Sequence, residues 1–181
     1  DHLYPSLTSY VGNPLVNLTI MGLIVIGGIG FLTWDDIYTK KYHFRQYCMQ
    51  SKVILLTSLF LIFVPAAFFF FRDFAGMPVK ERTLCALFQS VTTRTAGFNT
   101  ADLAAMTEPS KAIMILLMLI GGSPGSTAGG MKTTTFAVLV FNAFATFRNK
   151  EDAGVYGRRI ECQTIKNAST VAMMYILLFL C

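Results

Sequence analysis

The chain has 181 residues, of which 54% are hydrophobic, 13% aromatic and only 14% charged. Soluble domains carry roughly 25% charged residues, so this composition argues against one and for an integral membrane protein. The net charge of +5 does not point to nucleic acid, because the basic residues sit beside apolar segments, where topology determinants belong.

Residues 1–14 are polar and rich in turn formers, ending in Gly12, Asn13 and Pro14. Residues 15–34 carry no charge and match the roughly 20 residues a helix needs to cross hydrocarbon. Gly22, Gly27, Gly28 and Gly30 lie in this run. So many glycines weaken a helix for nothing unless they let a neighbouring backbone approach closely. Residues 35–52, with Asp35, Asp36, Lys40, Lys41, Arg45 and Lys52, read as a net-positive loop. Residues 53–71 form a second run of spanning length, which Pro65 is expected to kink or to end.

The segment 74–111 is mixed. Within it, ERTLCALFQSV (81–91) reads as a short helix with one apolar face, too short to cross a bilayer. TTRTAGFNT (92–100) follows with no helical or strand period. A short helix and irregular backbone between two membrane runs read as a re-entrant loop. Residues 112–120 are apolar, 121–130 are crowded with glycine and hydroxyl groups, and 133–147 are largely apolar again. Neither apolar half spans alone, so 110–147 reads as one broken crossing. The loop 148–166 has Arg148, Lys150, Arg158, Arg159 and Lys166 against Glu151, Asp152 and Glu161. Excess Lys and Arg mark cytoplasmic loops, which places 35–52 and 148–166 inside and 74–111 outside. The chain starts at Asp1 without a signal-peptide pattern and stops in the apolar run of 167–181, which is expected of a fragment cut within its last helix.

The expected fold is therefore an all-α integral membrane one with a helix–pore-loop–helix unit and one broken inner helix. Two motifs carry chemistry. Thr95, Ala96, Gly97, Phe98 and Asn99 have the form T-x-G-aromatic-x of potassium filters, whose backbone carbonyls replace the hydration shell of the ion. The short helix before them would aim its partly negative C-terminal end at the pore. The preceding Arg94 would be unfavourable inside a cation filter and is expected to point away and pair behind it.

The second motif comprises Gly121, Gly122, Ser123, Pro124, Gly125, Ser126, Thr127, Ala128, Gly129 and Gly130, with Lys132 just beyond. It resembles a phosphate loop only superficially, because Met131 stands where that loop needs its lysine. Lys132, one place late, is rotated by about 100° on a helix. Irregular backbone at membrane depth is tolerated where it lines water or is buried in protein, and a lysine there is a functional candidate. No cysteine pair has C-x-x-C spacing among Cys48, Cys85, Cys162 and Cys181. His2 and His43 are solitary, so neither a disulfide frame nor a metal cluster is expected. A secondary transporter with broken helices is the competing reading. It would need polar contacts deep in the spans, for which Asn17, Thr19 and Thr57 are available.

SVTTRTAGFNTADL and GGSPGSTAGGMKTTTF together resemble the Trk/Ktr/HKT superfamily of potassium transporters, and the wording is most similar to the Ktr transport subunit. The resemblance covers essentially the whole chain. It implies four pseudo-fourfold repeats around one pore, of which this chain would hold the end of the second (1–34), the third (53–147) and the start of the fourth (167–181). It implies potassium passing the backbone carbonyls of Thr95, Ala96, Gly97 and Phe98, and a gating loop at 121–130, where Ala128 replaces the usual glycine. It further implies sodium-dependent potassium uptake rather than enzymatic chemistry, a multi-pass location in a bacterial cell membrane, a homodimer of transport subunits and a cytoplasmic nucleotide-binding regulatory ring. No covalent cofactor is implied.

Overall fold

The Asn13 side chain starts the first helix by accepting the N–H groups of Leu15 (3.1 Å) and Val16 (3.4 Å), with Pro14 at the first helical position. The computed structural model describes residues 7–41, 43–101, 103, 106–149, 154–155 and 158–180. His2, Cys181, Lys150, Glu151 and Asp152 lie outside them. Helix α1 (Pro14–Ile29) stops at Gly30, whose φ of +85° few side chains tolerate, and α2 (Phe31–Lys40) leaves at 96°. The uncharged run 15–34 is thus not one straight helix, and 35–40, expected in a loop, are helical. The sixteen residues of α1 rise about 24 Å. The Asn17 amide donates to the carbonyls of Tyr10, Val11 and Asn13, so it secures the entry to α1 rather than offering a contact to a solute.

Buried Asp36 ties α2 to α3 (Met49–Arg72). It accepts from Lys40 Nζ (2.5 Å), the Cys48 N–H (3.0 Å) and the Ser51 hydroxyl (2.5 Å). Lys40 above all, then Ser51 and the Cys48 N–H, hold its carboxyl down to about 2 from an ordinary 3.8, against the opposing effect of burial. A depressed carboxyl stabilises the fold above the ordinary pKa and loses that contribution as pH falls through the folded value. Asp36→Asn is expected to cost about 1–3 kcal/mol at pH 7. Its deficit against the parent should shrink between about pH 4 and pH 2. Thermal melts of the purified protein across that range check this, and a deficit independent of pH would contradict it.

Of the two effects expected of Pro65, a kink or an end, the end does not occur: α3 continues through it. Proline lacks the N–H that would bond the carbonyl four residues back, Leu61. The Ser90 hydroxyl on the next helix supplies donors instead, at 3.3 Å to Leu61 O and 2.6 Å to Ile62 O. That helix, α4 (Val79–Thr92), is buried along its C-terminal half from Leu84 to Thr92, with Phe88, Gln89 and Ser90 fully enclosed. Its start is pinned to α3 by Arg82, which donates to Phe70 O (2.7 Å) and lies 3.9 Å over the Phe70 ring. Asp73, at the end of α3, caps α5 (Glu108–Leu119) by accepting the Thr107 N–H (3.0 Å) and the hydroxyls of Thr107 (2.9 Å) and Ser110.

Helix α6 (Thr133–Phe147) follows the glycine-rich stretch. A two-residue pair, β1 (Gly154–Val155) and β2 (Arg158–Arg159), precedes α7 (Cys162–Leu180), so the loop expected to reach 166 already ends in helix. Three apolar clusters hold the described bundle. Leu61, Phe69, Cys85, Met114, Leu117, Ile120 and Met131 join α3, α4 and α5. Met21, Ile62, Phe88 and Val91 join α1 to α3 and α4. Val53 packs with Ala137 and Ile160, which puts the two positive segments at one end of the bundle. Leu56, Leu59, Phe60, Phe63 and Val64 form an exposed apolar face on α3, and at 24 residues that helix is long enough to cross a membrane. Among the described residues the cysteines are free.

Candidate functional site

The loop after α4 turns back on itself, with the N–H groups of Ala96 and Gly97 both donating to Thr92 O at 3.2 Å. φ is positive at Thr95 (+71°) and Gly97 (+77°) but not at Ala96 between them. Alternation of hand along consecutive residues turns successive peptide groups the same way. Among the described residues, no hydrogen bond is made to the carbonyls of Thr95, Ala96 or Gly97. Phe98 O instead accepts the Thr92 hydroxyl (2.6 Å), and Asn99 O accepts the Leu7 N–H (2.9 Å). The loop's outer end is thereby fastened while its three central carbonyls stay unclaimed.

Residues 121–130 form a closed loop with a tight neck. Ile120 bridges Met131, Gly121 N–H donates to Met131 O (2.8 Å), Met131 N–H to Leu119 O (3.1 Å) and Thr133 N–H to Gly122 O (3.1 Å). A Cβ on Gly121 would lie 1.6 Å from Gly129 O, so the neck requires glycine there. The tip docks on the break between α1 and α2. Buried Ser123 donates its N–H to Gly28 O (3.0 Å) and its hydroxyl to Gly28 O (3.0 Å) and Ile29 O. The Thr127 hydroxyl reaches Gly27 O (3.3 Å), and the Phe31 N–H reaches Gly125 O (3.3 Å). These groups replace partners that α1 loses where it ends. Gly30 is needed for its φ and for space, since a Cβ would lie 2.6 Å from both Pro124 O and Ser123 Oγ. Gly125 and Gly130 have positive φ, while Ser126 Oγ is buried without a partner. Lys132 folds back, its ammonium donating to Ala128 O at 2.9 Å.

A cavity of about 180 Å³ separates the two motifs. Thr95 and Ala96 form one wall, Thr127 and Ala128 the facing wall, and α1 closes the side with Ile24 and Gly28. Arg94 also borders it. Among the described residues Arg94 finds no carboxylate partner. Its guanidinium makes one long contact to Ser58 Oγ (3.4 Å), and its Nε has no partner. The carboxylates of Asp36 and Asp73 are engaged elsewhere, with Lys40 and Ser51 and with Thr107 and Ser110.

The glycines of α1 were legible as a packing surface, but their partner was not. Gly27 and Gly30 pack against the 121–130 loop, whereas a Cβ on Gly22 or Gly28 would meet open space. A signal existed in principle. Two helix breaks at similar depth leave unpaired carbonyls on one side, and the hydroxyls of SPGST offer donors on the other.

A family model described as TrkH, cation transport protein, matches residues 3–181. The chain is 33% identical over 178 residues to the Ktr system potassium uptake protein B of Vibrio alginolyticus, covering 93% of this chain and 39% of that protein. It is 34% identical over 187 residues to the potassium/sodium uptake protein NtpJ of Enterococcus hirae, covering 100% of this chain and 41% of that protein. Among solved structures, the potassium transporter TrkH from Vibrio parahaemolyticus has the same fold, with a TM-score of 0.67 at 21% identity over 84% of this chain and 34% of that one. The chain spans about two fifths of the length of the curated relatives it matches.

Proposed function

The chain belongs to the TrkH family of cation transport proteins, and from that premise we propose that it contributes a filter segment and a gate to a channel-like potassium permease of the bacterial cell membrane. The observation that carries this reading is the cavity of about 180 Å³, because the T-x-G loop and the glycine-rich loop face each other across it. The unclaimed carbonyls of Thr95, Ala96 and Gly97 are suited to dehydrating a potassium ion. Phe98 O, already accepting from Thr92, is the weakest of the four proposed ligands. Below them, residues 121–130 act as the gate, anchored to α1 by Ser123.

In this reading residues 1–34 end a second repeat, 53–147 make up a third, and 167–181 begin a fourth, with four filter segments around a pseudo-fourfold axis. The permease works as a homodimer with a cytoplasmic nucleotide-binding ring, and its uptake depends on sodium. Similarity to the Ktr protein and to a relative named for potassium and sodium uptake supports the ion assignments.

Gly97→Ser in the full-length protein tests the filter. A Cβ there meets nothing within 4 Å, so the substitution acts through φ, which is +77°. Left-handed backbone costs an L-residue roughly 1–2 kcal/mol, enough to turn the carbonyl out of line. Potassium-over-sodium selectivity in uptake assays is expected to fall about tenfold, the equivalent of roughly 1.4 kcal/mol. An unchanged selectivity at normal expression would refute the filter assignment.

A further inference from the structure

Arg94 is 8% exposed, carries a buried Nε with no partner, and makes only the 3.4 Å contact to Ser58. Among the described residues no carboxylate forms an ion pair with it. The enclosed void behind the guanidinium, bounded by Ser58, Gly28 and Gly122, is about 10 Å³. That is about the space of one water, too little for a counter-ion. A guanidinium keeps its charge under all ordinary conditions. The charge is eased by its position just past the end of α4, where the Arg94 N–H donates to Val91 O (3.2 Å) and the helix end is partly negative. It is not neutralised. Arg94 also lines the larger cavity between the filter loop and the glycine-rich loop. Lys132, just before α6, is held on Ala128 O and is not among the residues lining that cavity.

We infer that Arg94 is a specificity-determining residue whose uncompensated charge beside this cavity disfavours divalent cations there more strongly than monovalent ones. The inference rests on the permease reading, because it needs the cavity to lie on the ion path. Its physical signature is valence. The energy of an ion in a fixed potential is proportional to its charge, so the factor by which Arg94 weakens divalent occupancy is the square of the factor for a monovalent ion. A unit charge roughly 10 Å away at an effective dielectric of about 20 shifts monovalent affinity about tenfold, and divalent affinity about a hundredfold. A residue that only packs the loop has no reason to obey that relation.

The test uses the full-length protein in proteoliposomes, with rubidium uptake and its inhibition by barium as readouts. Arg94→Gln is expected to tighten the apparent rubidium affinity about tenfold and barium inhibition about a hundredfold, while Arg94→Lys, which keeps the charge, stays near the parent on both. Ser58→Asp sets a carboxylate against the guanidinium from behind without adding a group to the cavity, and should shift both ions in the same direction as Arg94→Gln. Equal factors for the two ions, or no shift in a folded variant, overturn the inference. Should Arg94→Gln fail to assemble, unchanged barium inhibition in Ser58→Asp assigns Arg94 to packing alone and likewise overturns it. A parent protein that takes up no rubidium overturns the permease reading itself, and this inference with it.

Discussion

Replacing residues 121–130 by a two-residue glycine linker between Ile120 and Met131 is expected to raise rubidium influx through the full-length protein about tenfold. That equals removal of a barrier of about 1.4 kcal/mol. Ile120 and Met131 bridge one another in parallel, so the linker must reverse direction between them and the ends of α5 and α6 must shift to accommodate it. The excision also removes the neck bonds of Gly121 and Gly122, so the comparison is made on variant protein shown to be folded. What disappears is the tip that borders the cavity with Thr127 and Ala128 and reaches α1 through Ser123. The carbonyls of Gly28 and Ile29 lose their donors, but a cavity open to water can hydrate them. Influx at or below that of the parent, in protein that folds and reaches the membrane, would show that the loop does not limit flux.

The second large effect belongs to Gly121→Ala. Its Cβ would sit 1.6 Å from Gly129 O and 2.7 Å from Gly129 C, both backbone atoms that no side-chain rotation can move away. The neck must therefore open, breaking the bonds from Gly121 N–H to Met131 O and from Met131 N–H to Leu119 O. A loss above about 3 kcal/mol is expected, beyond the usual cost of one extra methyl in a packed interior. Gly129→Ala is the matched control across the same neck. A Cβ there meets nothing within 4 Å, and its φ is not positive, so a change within about 1 kcal/mol is expected. Thermal melts of the two purified variants decide the matter, and equal stabilities would mean that the neck is not closed in the folded protein.

Particular residues show why some features could be read from the chain and others not. The glycine-rich stretch was legible as a helix break because a run such as GGSPGSTAGG opposes helix strongly between two apolar segments. The short helix before TAGF was legible because ERTLCALFQSV (81–91) places its apolar residues on one face. Whether Pro65 ends its helix could not be read locally, because its effect depends on whether a neighbour supplies donors for the carbonyls it frees. Ser90, 25 positions away in sequence, does so. Gly30, by contrast, misled. It stands among four glycines of one apolar run, and nothing local distinguishes the one that adopts φ +85° from those that stay helical. Arg94 was expected to find a partner, yet among the described residues no carboxylate pairs with it, and Asp36 and Asp73 are spent on Lys40 and Ser51 and on Thr107 and Ser110.

The sequence by itself determined the membrane class, the helical character and the placement of the two motifs, since these follow from composition, run length and local backbone preference. Only the tertiary structure decided that the 121–130 loop docks on the end of α1, that Ser90 lets α3 pass through Pro65, and that Arg94 borders the cavity with no ion pair among the described residues. Each of those is a question of which donor meets which carbonyl or charge across tens of residues. Buried polar groups must be satisfied somewhere, but a sequence records the need and leaves the partner to the packing.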